Sequence, residues 1–312
     1  VITTWVIAGA SGVVGRYVVK RLLGAGVRVR LLSTSGRPSP DDNVEVIRWD
    51  PGAVSASEET ALAPIIEAVD GADVVLNLAG HSVGSGRFGR RHRQQILQSR
   101  QDATRLLVKA WQRAQSRPAR WLQASSVGYY GDTGSEWVGE DHAPGSVFLS
   151  DVCRHWEHEV EPVVSEGCTT SLLRLGLVLA PDAPAIVRML RPIRWGLGGR
   201  LGSGTQFWAW ITAHDVAAAI EHLAGTSHSG PVNLVAPGVV TQIEFTRQVA
   251  LALRRPFWLP TPAGLLRVVA GGGVDELVLR SCRARADALL ETGFRFDHPS
   301  LVEAVRWLLP AS

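Results

Sequence analysis

An apolar run, Trp5-Val6-Ile7-Ala8, breaks into Gly9-Ala10-Ser11-Gly12-Val13-Val14-Gly15, and helical spacing begins at Val13. This strand–glycine–helix junction constrains the fold more than any other feature of the chain. Glycines at 9, 12 and 15 let the backbone turn tightly, and Val14, Val18 and Leu22 share one face of the following helix. The start of a helix carries unpaired N–H groups and the positive end of its dipole, which together suit a phosphate. Gly9, Ser11, Gly12, Val13, Val14 and Gly15 are therefore candidates for holding a dinucleotide pyrophosphate.

The alternation continues along the first half. Segments 27–32, 44–49, 72–78 and 120–124 read as strands, and 13–23, 58–69 and 93–115 as helices. Such βαβ alternation predicts an α/β fold, a Rossmann-type doubly wound parallel sheet with helices on both faces. After about residue 170 the pattern loosens. A strand at 171–179 precedes a short helix, the glycine- and tryptophan-rich run WGLGGRLGSGTQFWAW, and a terminal helix near 299–309. The expected division is a dinucleotide-binding domain over 1–175 and a smaller C-terminal α/β substrate lobe over 176–312. Segments near 205–224 are expected to return to the first domain. The glycines of 196–204 beside Trp208 and Trp210 read either as a loop that closes over a ligand or as core packing. Asp215 reads as the cap of a helix at 216–223.

Bulk properties narrow the partners. The net charge is +3, and all of the 32 basic residues except Lys20 and Lys109 are arginine. Arginine suits phosphate and carboxylate ligands, although a GC-rich genome gives the same excess. No basic run is long enough to argue for nucleic acid. Cys153, Cys168 and Cys282 are odd in number and dispersed, which predicts reduced thiols in a cytoplasm. No apolar run reaches the ~18 residues that a bilayer span needs. The opening VITTWVIAG lacks the charged start of a signal peptide and reads as a buried strand. The expected partner is a small molecule, with the chain a monomer or homodimer.

An NAD site commonly places an acid about 20 residues beyond the glycine loop, on the adenosine ribose. Here no Asp or Glu precedes Asp41, and the second strand runs into Ser33-Thr34-Ser35-Gly36-Arg37. Ser33, Thr34 and Arg37, with Arg16, suit a 2′-phosphate instead, so NADP(H) is favoured over NAD(H).

Longer motifs sharpen the reading. Besides the glycine loop there are Asn77-Leu78-Ala79-Gly80, Ser99-Arg100 with Thr104-Arg105, and Ser125-Ser126-Val127-Gly128-Tyr129-Tyr130-Gly131. Further along come 148–157, 196–204, 206–211, Pro231-Val232-Asn233-Leu234, Arg255-Pro256 and Gly293-Phe294. Over nearly its whole length the chain resembles the atypical extended short-chain dehydrogenase/reductases of the NAD-dependent epimerase/dehydratase superfamily, of the YfcH-like or SulA-like kind. The resemblance implies that Asn77, Leu78, Ala79 and Gly80 run along the cofactor and that Asp50 lies near the adenine. Ser125 and Cys153 would flank the cofactor. Ser126 would take the place of the catalytic Ser/Thr, and Tyr130 that of the tyrosine in the family's VYG motif, with Tyr129 beside it.

One part of that pattern is missing. The usual acid/base pair is Tyr followed four residues later by Lys, one helical turn apart. The tyrosines are Tyr17, Tyr129 and Tyr130, and four residues beyond them stand Arg21, Thr133 and Gly134. By the resemblance, Leu149 and Cys153 occupy the two slots. Val127 and Gly128 stand where extended dehydratases carry an acidic pair, which argues against dehydration. His155, His158 and Glu159 lack a clear set of further metal ligands and read as a solvated helix face. Gly80-His81-Ser82-Val83-Gly84 matches GxSxG, but a nucleophile elbow needs an immediate helix, and 85–89 is poor helix. The expected function is an NADP-dependent oxidoreductase or epimerase acting on a small carbonyl or hydroxyl compound. The alternative is a non-catalytic NADP-binding regulatory or assembly protein.

Overall fold

A computed structural model describes residues 3–52, 58–85, 88–270 and 273–309. Its centre is a seven-stranded sheet in the order Gly230–Leu234, Thr169–Leu175, Arg120–Ser126, Val74–Asn77, Thr4–Ala8, Arg28–Ser33, Val44–Arg48. Every neighbouring pair is parallel. The strand order reverses between Thr4–Ala8 and Val74–Asn77. That reversal opens a crevice at the carboxyl ends of the strands, where ligands of such sheets bind.

The sequence explains the layering. Trp5, Val6, Ile7 and Ala8 are all buried, because a central parallel strand is covered on both faces and does not alternate. Trp5 and Ile7 join one core with Val18, Leu22, Val216 and Ile220, under the helices Val13–Gly24 and Ala213–Ala224. Val6 and Ala8 join the opposite core with Leu62, Ile65, Leu107 and Trp111, under Glu58–Val69 and Arg90–Arg113. Ile7, Leu22, Leu62 and Leu107 are fully buried, each contributing roughly 1.5–3 kcal/mol. A third core holds Ile186, Leu190, Trp208, Trp210, Phe245, Val305 and Leu308 from the C-terminal half of the chain.

Two expectations are corrected, and one left open is decided. The strand expected over 171–179 is two strands, Thr169–Leu175 and Leu177–Leu179, the second pairing with Trp210–Thr212. Gly176 makes the break: a Cβ there would lie 2.7 Å from the Ala209 carbonyl oxygen, so only glycine permits the crossing. Asp215 is not the helix cap. Thr212 is, with its hydroxyl accepting from the Asp215 N–H, and the buried Asp215 carboxylate accepts from the Asp297 and His298 N–H groups. Finally, Trp208 and Trp210 are core residues whose indole N–H groups donate to the Val278 and Gly238 carbonyls. The glycine-rich loop beside them is pinned: a Cβ on Gly199 would fall 1.9 Å from the Leu259 carbonyl oxygen. Among the described residues no helix is long and apolar enough to cross a membrane.

Candidate active site

The glycine loop begins at Gly9, whose φ of +85° lies in the left-handed region. Leu78 N–H donates to the Ala8 carbonyl, which draws the end of the fourth strand against the loop. A Cβ on Gly9 would lie 2.6 Å from the Leu78 carbonyl carbon. A Cβ on Gly15 would lie 2.5 Å from the Gly9 oxygen. Both glycines are therefore required by close backbone approach. Gly12 precedes the helix, which has neither a capping side chain nor an acid in its first turn. The first N–H groups and the dipole thus face the crevice without a competing anion, an arrangement that fits a pyrophosphate. Ser11 is exposed at this edge, while Val13 and Val14 pack inward against the third and first cores.

At the next strand end the Ser33 hydroxyl lies 3.1 Å from that of Ser35, with Thr34 and Arg37 exposed beside them. Gly36, at φ +60°, folds onto the stem of Arg48, which a Cβ at 36 would meet at 3.1 Å. Arg48 is the parallel partner of Ser33. It joins this corner through strand register, which is why the sequence did not single it out. Neither Arg37 nor Arg48 has an acidic partner among the described residues. Arg16 does not belong to this corner. It bonds the Ser11 carbonyl at 3.0 Å and pairs with Asp182 at 2.5 Å, tying the loop to the turn that follows Leu177–Leu179. Asp50 is exposed, and its carboxylate accepts from Gly52 N–H at 3.0 Å.

Asn77 is fully buried. Its amide donates to Thr104 and Gln123, and its carbonyl oxygen accepts from Ala79 N–H at 3.1 Å. The side chain shapes the turn 77–80 from beneath, so what lines the crevice there is the backbone of Leu78, Ala79 and Gly80.

Ser126 ends the fifth strand half-buried. Its oxygen accepts from Gly128 N–H at 3.1 Å, which leaves the hydroxyl proton to donate elsewhere. Ser125 is buried and donates to Glu157 at 2.6 Å. In the two acid/base slots, Leu149 packs against Gly128, and the Cys153 thiol lies 3.7 Å from the Ser126 carbonyl oxygen. Cys153 is only 3% exposed, and burial pushes its thiol up to about 11. It is a neutral thiol at pH 7.

The two tyrosines separate. Tyr130 donates to Asn233 at 2.7 Å and accepts from Arg174 at 3.0 Å, in an interior that pushes its phenol up to about 12 by burial. Its hydroxyl has both a donor and an acceptor inside the protein, so the catalytic role expected for Tyr130 does not fit its geometry. Tyr129 is half-buried, its ring 3.6 Å from the Arg174 guanidinium. Arg174 and Glu157 form a two-pronged buried ion pair, both bonds 3.0 Å. Neither residue was singled out beforehand, because the partners stand 17 residues apart on different elements. Arg100 lies near Cys153, its guanidinium 4.7 Å from the Trp156 ring centroid, and burial lowers it to about 10, still protonated at neutral pH.

Ser82 lies in an irregular segment, and the next helix starts only at Arg90, so no nucleophile elbow exists there. The sequence carries a basic cluster, Arg87, Arg90, Arg91, His92 and Arg93, of which Arg87 lies outside the described residues. Glu159 is engaged by Arg105 and Gln101, which removes it from a metal site with His155 and His158.

Comparison with known proteins bears on these residues. Residues 261–308 match a domain of unknown function, DUF1731. The chain is 35% identical to an epimerase family protein of Mycobacterium bovis over 96% of its length and 95% of that protein's. It is 32% identical to the epimerase family protein YfhF of Bacillus subtilis, covering 96% of each. The crystal structure of human epimerase family protein SDR39U1 with NADPH superposes with a TM-score of 0.84 at 27% identity, over 98% of this chain and 99% of that one. UDP-glucose 4-epimerase of Thermus thermophilus shares the fold at a TM-score of 0.75 and 18% identity, over 99% of this chain and all of the other. Residues 5–235 match the NAD dependent epimerase/dehydratase family, and the chain belongs to that family.

Proposed function

We propose that the protein binds NADP(H) in the crevice between 9–15 and 77–80 and acts as an oxidoreductase or epimerase on a small carbonyl or hydroxyl compound. The observation that carries this reading is the uncapped, acid-free helix start beside Gly12, at the same strand ends as the free Ser126 hydroxyl proton. The human relative whose structure is described with NADPH supports the choice of cofactor. Ser33, Thr34, Arg37 and Arg48 would surround the adenosine 2′-phosphate, with Asp50 near the adenine.

A bound nicotinamide supplies or accepts hydride. Ser126 donates a hydrogen bond to the substrate oxygen and steadies charge that develops on it. Leu149 excludes water from the place of the missing phenol. Cys153 keeps its proton, so the proton balance at the substrate oxygen runs through Ser126 or solvent.

The test is transfer of deuterium from 4-deuterated NADPH to a panel of small ketones, aldehydes and sugar nucleotides, read by mass spectrometry. Wild type should label at least one product, and Ser126→Ala should cut the rate by about 100-fold, the loss for one oxyanion donor. Tight NADPH binding with no transfer to any compound would instead favour a non-catalytic NADP-binding protein, the reading that Leu149 and a protonated Cys153 support.

A further inference from the structure

Among the described residues, no carboxylate pairs with the positive charge of Arg100. Arg100 projects from the long helix Arg90–Arg113 at the carboxyl ends of the strands. Its stem covers Gly80, where a Cβ would meet Arg100 Cγ at 3.0 Å and Cζ at 3.1 Å. One nitrogen, Nη1, donates to the carbonyls of His81 at 3.0 Å and Ile96 at 2.9 Å. Nε and Nη2 donate to nothing among the described residues. Only Arg283 Nε is there both fully buried and unpaired, so these Arg100 donors are not completely enclosed. The ionisable group that acts on Arg100 is Cys153, whose thiol is neutral at pH 7.

Two backbone carbonyls and the Trp156 ring, 4.7 Å from the guanidinium, offset part of its desolvation, and the remaining N–H donors can complete their bonding on a ligand oxygen. The neighbours of Arg100 say which ligand. Gly80 lies along the proposed cofactor crevice, and by the resemblance Cys153 stands where ordinary members of the superfamily carry a lysine that holds the nicotinamide ribose. We propose that Arg100, reaching across from the neighbouring helix, takes over that lysine's place and binds the nicotinamide half of NADP(H). This rests on the NADP reading above. Guanidinium offers several N–H donors in a fixed fork, against the single ammonium that it replaces, and it cannot lend a proton at neutral pH. Arg100 is thus a binding and positioning residue for the cofactor.

Two ligands separate this role from a structural one. NADPH spans the whole crevice, whereas adenosine 2′,5′-bisphosphate fills only the adenosine end. Arg100→Met should weaken NADPH by about 10- to 100-fold, the loss expected for one or two charge-assisted hydrogen bonds. It should leave adenosine 2′,5′-bisphosphate unchanged, and Arg100→Lys should recover part of the NADPH affinity. Equal loss of both ligands in both variants would show that Arg100 only supports the fold, and no loss of either would show that it faces no ligand. Both results overturn the proposal. A wild-type protein that binds neither ligand would overturn the cofactor reading itself, and Arg100 with it.

Discussion

The Cys153 thiol lies 3.7 Å from the Ser126 carbonyl, and burial pushes it up to about 11 from an ordinary 9.0. Its folded state therefore prefers the proton. That preference stabilises the protein fully below about pH 9 and is lost as pH rises through 11. Cys168, pushed up to about 11, and Cys282, pushed up to about 12, titrate in the same window for the same reason. Stability to urea should fall between pH 9 and 11, and Cys153→Ala should remove part of that slope; an unchanged slope would mean that Cys153 is not buried as described. At pH 7.5 the native thiol should resist a disulfide reagent that modifies it at once after unfolding. The loss of the Tyr–Lys pair was legible in the sequence, because a four-residue spacing is local. The withdrawal of Tyr130 was not, because its partner Asn233 lies 103 residues away.

Among elements, the helix Phe148–His158 shows how one turn changes the chemistry beneath the crevice. Its inward face carries Leu149 and Cys153, and one further turn brings Glu157 to Arg174 on the adjoining strand. The pair joins Ser125, Tyr130 and the Glu140 carbonyl into one network. Removing one partner leaves a buried charge, so Arg174→Met or Glu157→Gln should each cost about 3–5 kcal/mol in urea unfolding. A cost under about 1 kcal/mol, typical of an exposed pair, would contradict this placement. The glycine loop makes a different demand. Gly15→Ala puts a methyl 2.5 Å from the Gly9 oxygen, so the loop must shift, and NADPH affinity should drop by tenfold or more with little loss of secondary structure. The helices and strands read in the first half of the sequence match the structure to within a few residues, whereas later elements such as the helix Gln242–Ala252 were not read. The break at Gly176 was not, because the mostly apolar run around it reads as one strand and the Ala209 backbone that forces the break lies on a distant stretch of the chain.

At the scale of the molecule, the reversal of strand order places Gly9 against Leu78, and the fifth strand ends nearby at Ser126. The βαβ alternation was enough to predict that crevice. Register supplies what periodicity cannot: Arg48 reaches the Ser33 corner only because the second and third strands pair in parallel. In the proposed reading, the absence of any acid before Asp41 and the two arginines without an acidic partner among the described residues both favour a 2′-phosphate. The measurement that tests this most directly is a titration with NADPH and separately with NADH. Each is followed by quenching of the 11 tryptophans and energy transfer to the reduced nicotinamide. The account predicts saturable binding of NADPH, at least about tenfold tighter than NADH, a difference of about 1.4 kcal/mol from the 2′-phosphate contacts. Equal affinity for the two, or binding of neither, would contradict it.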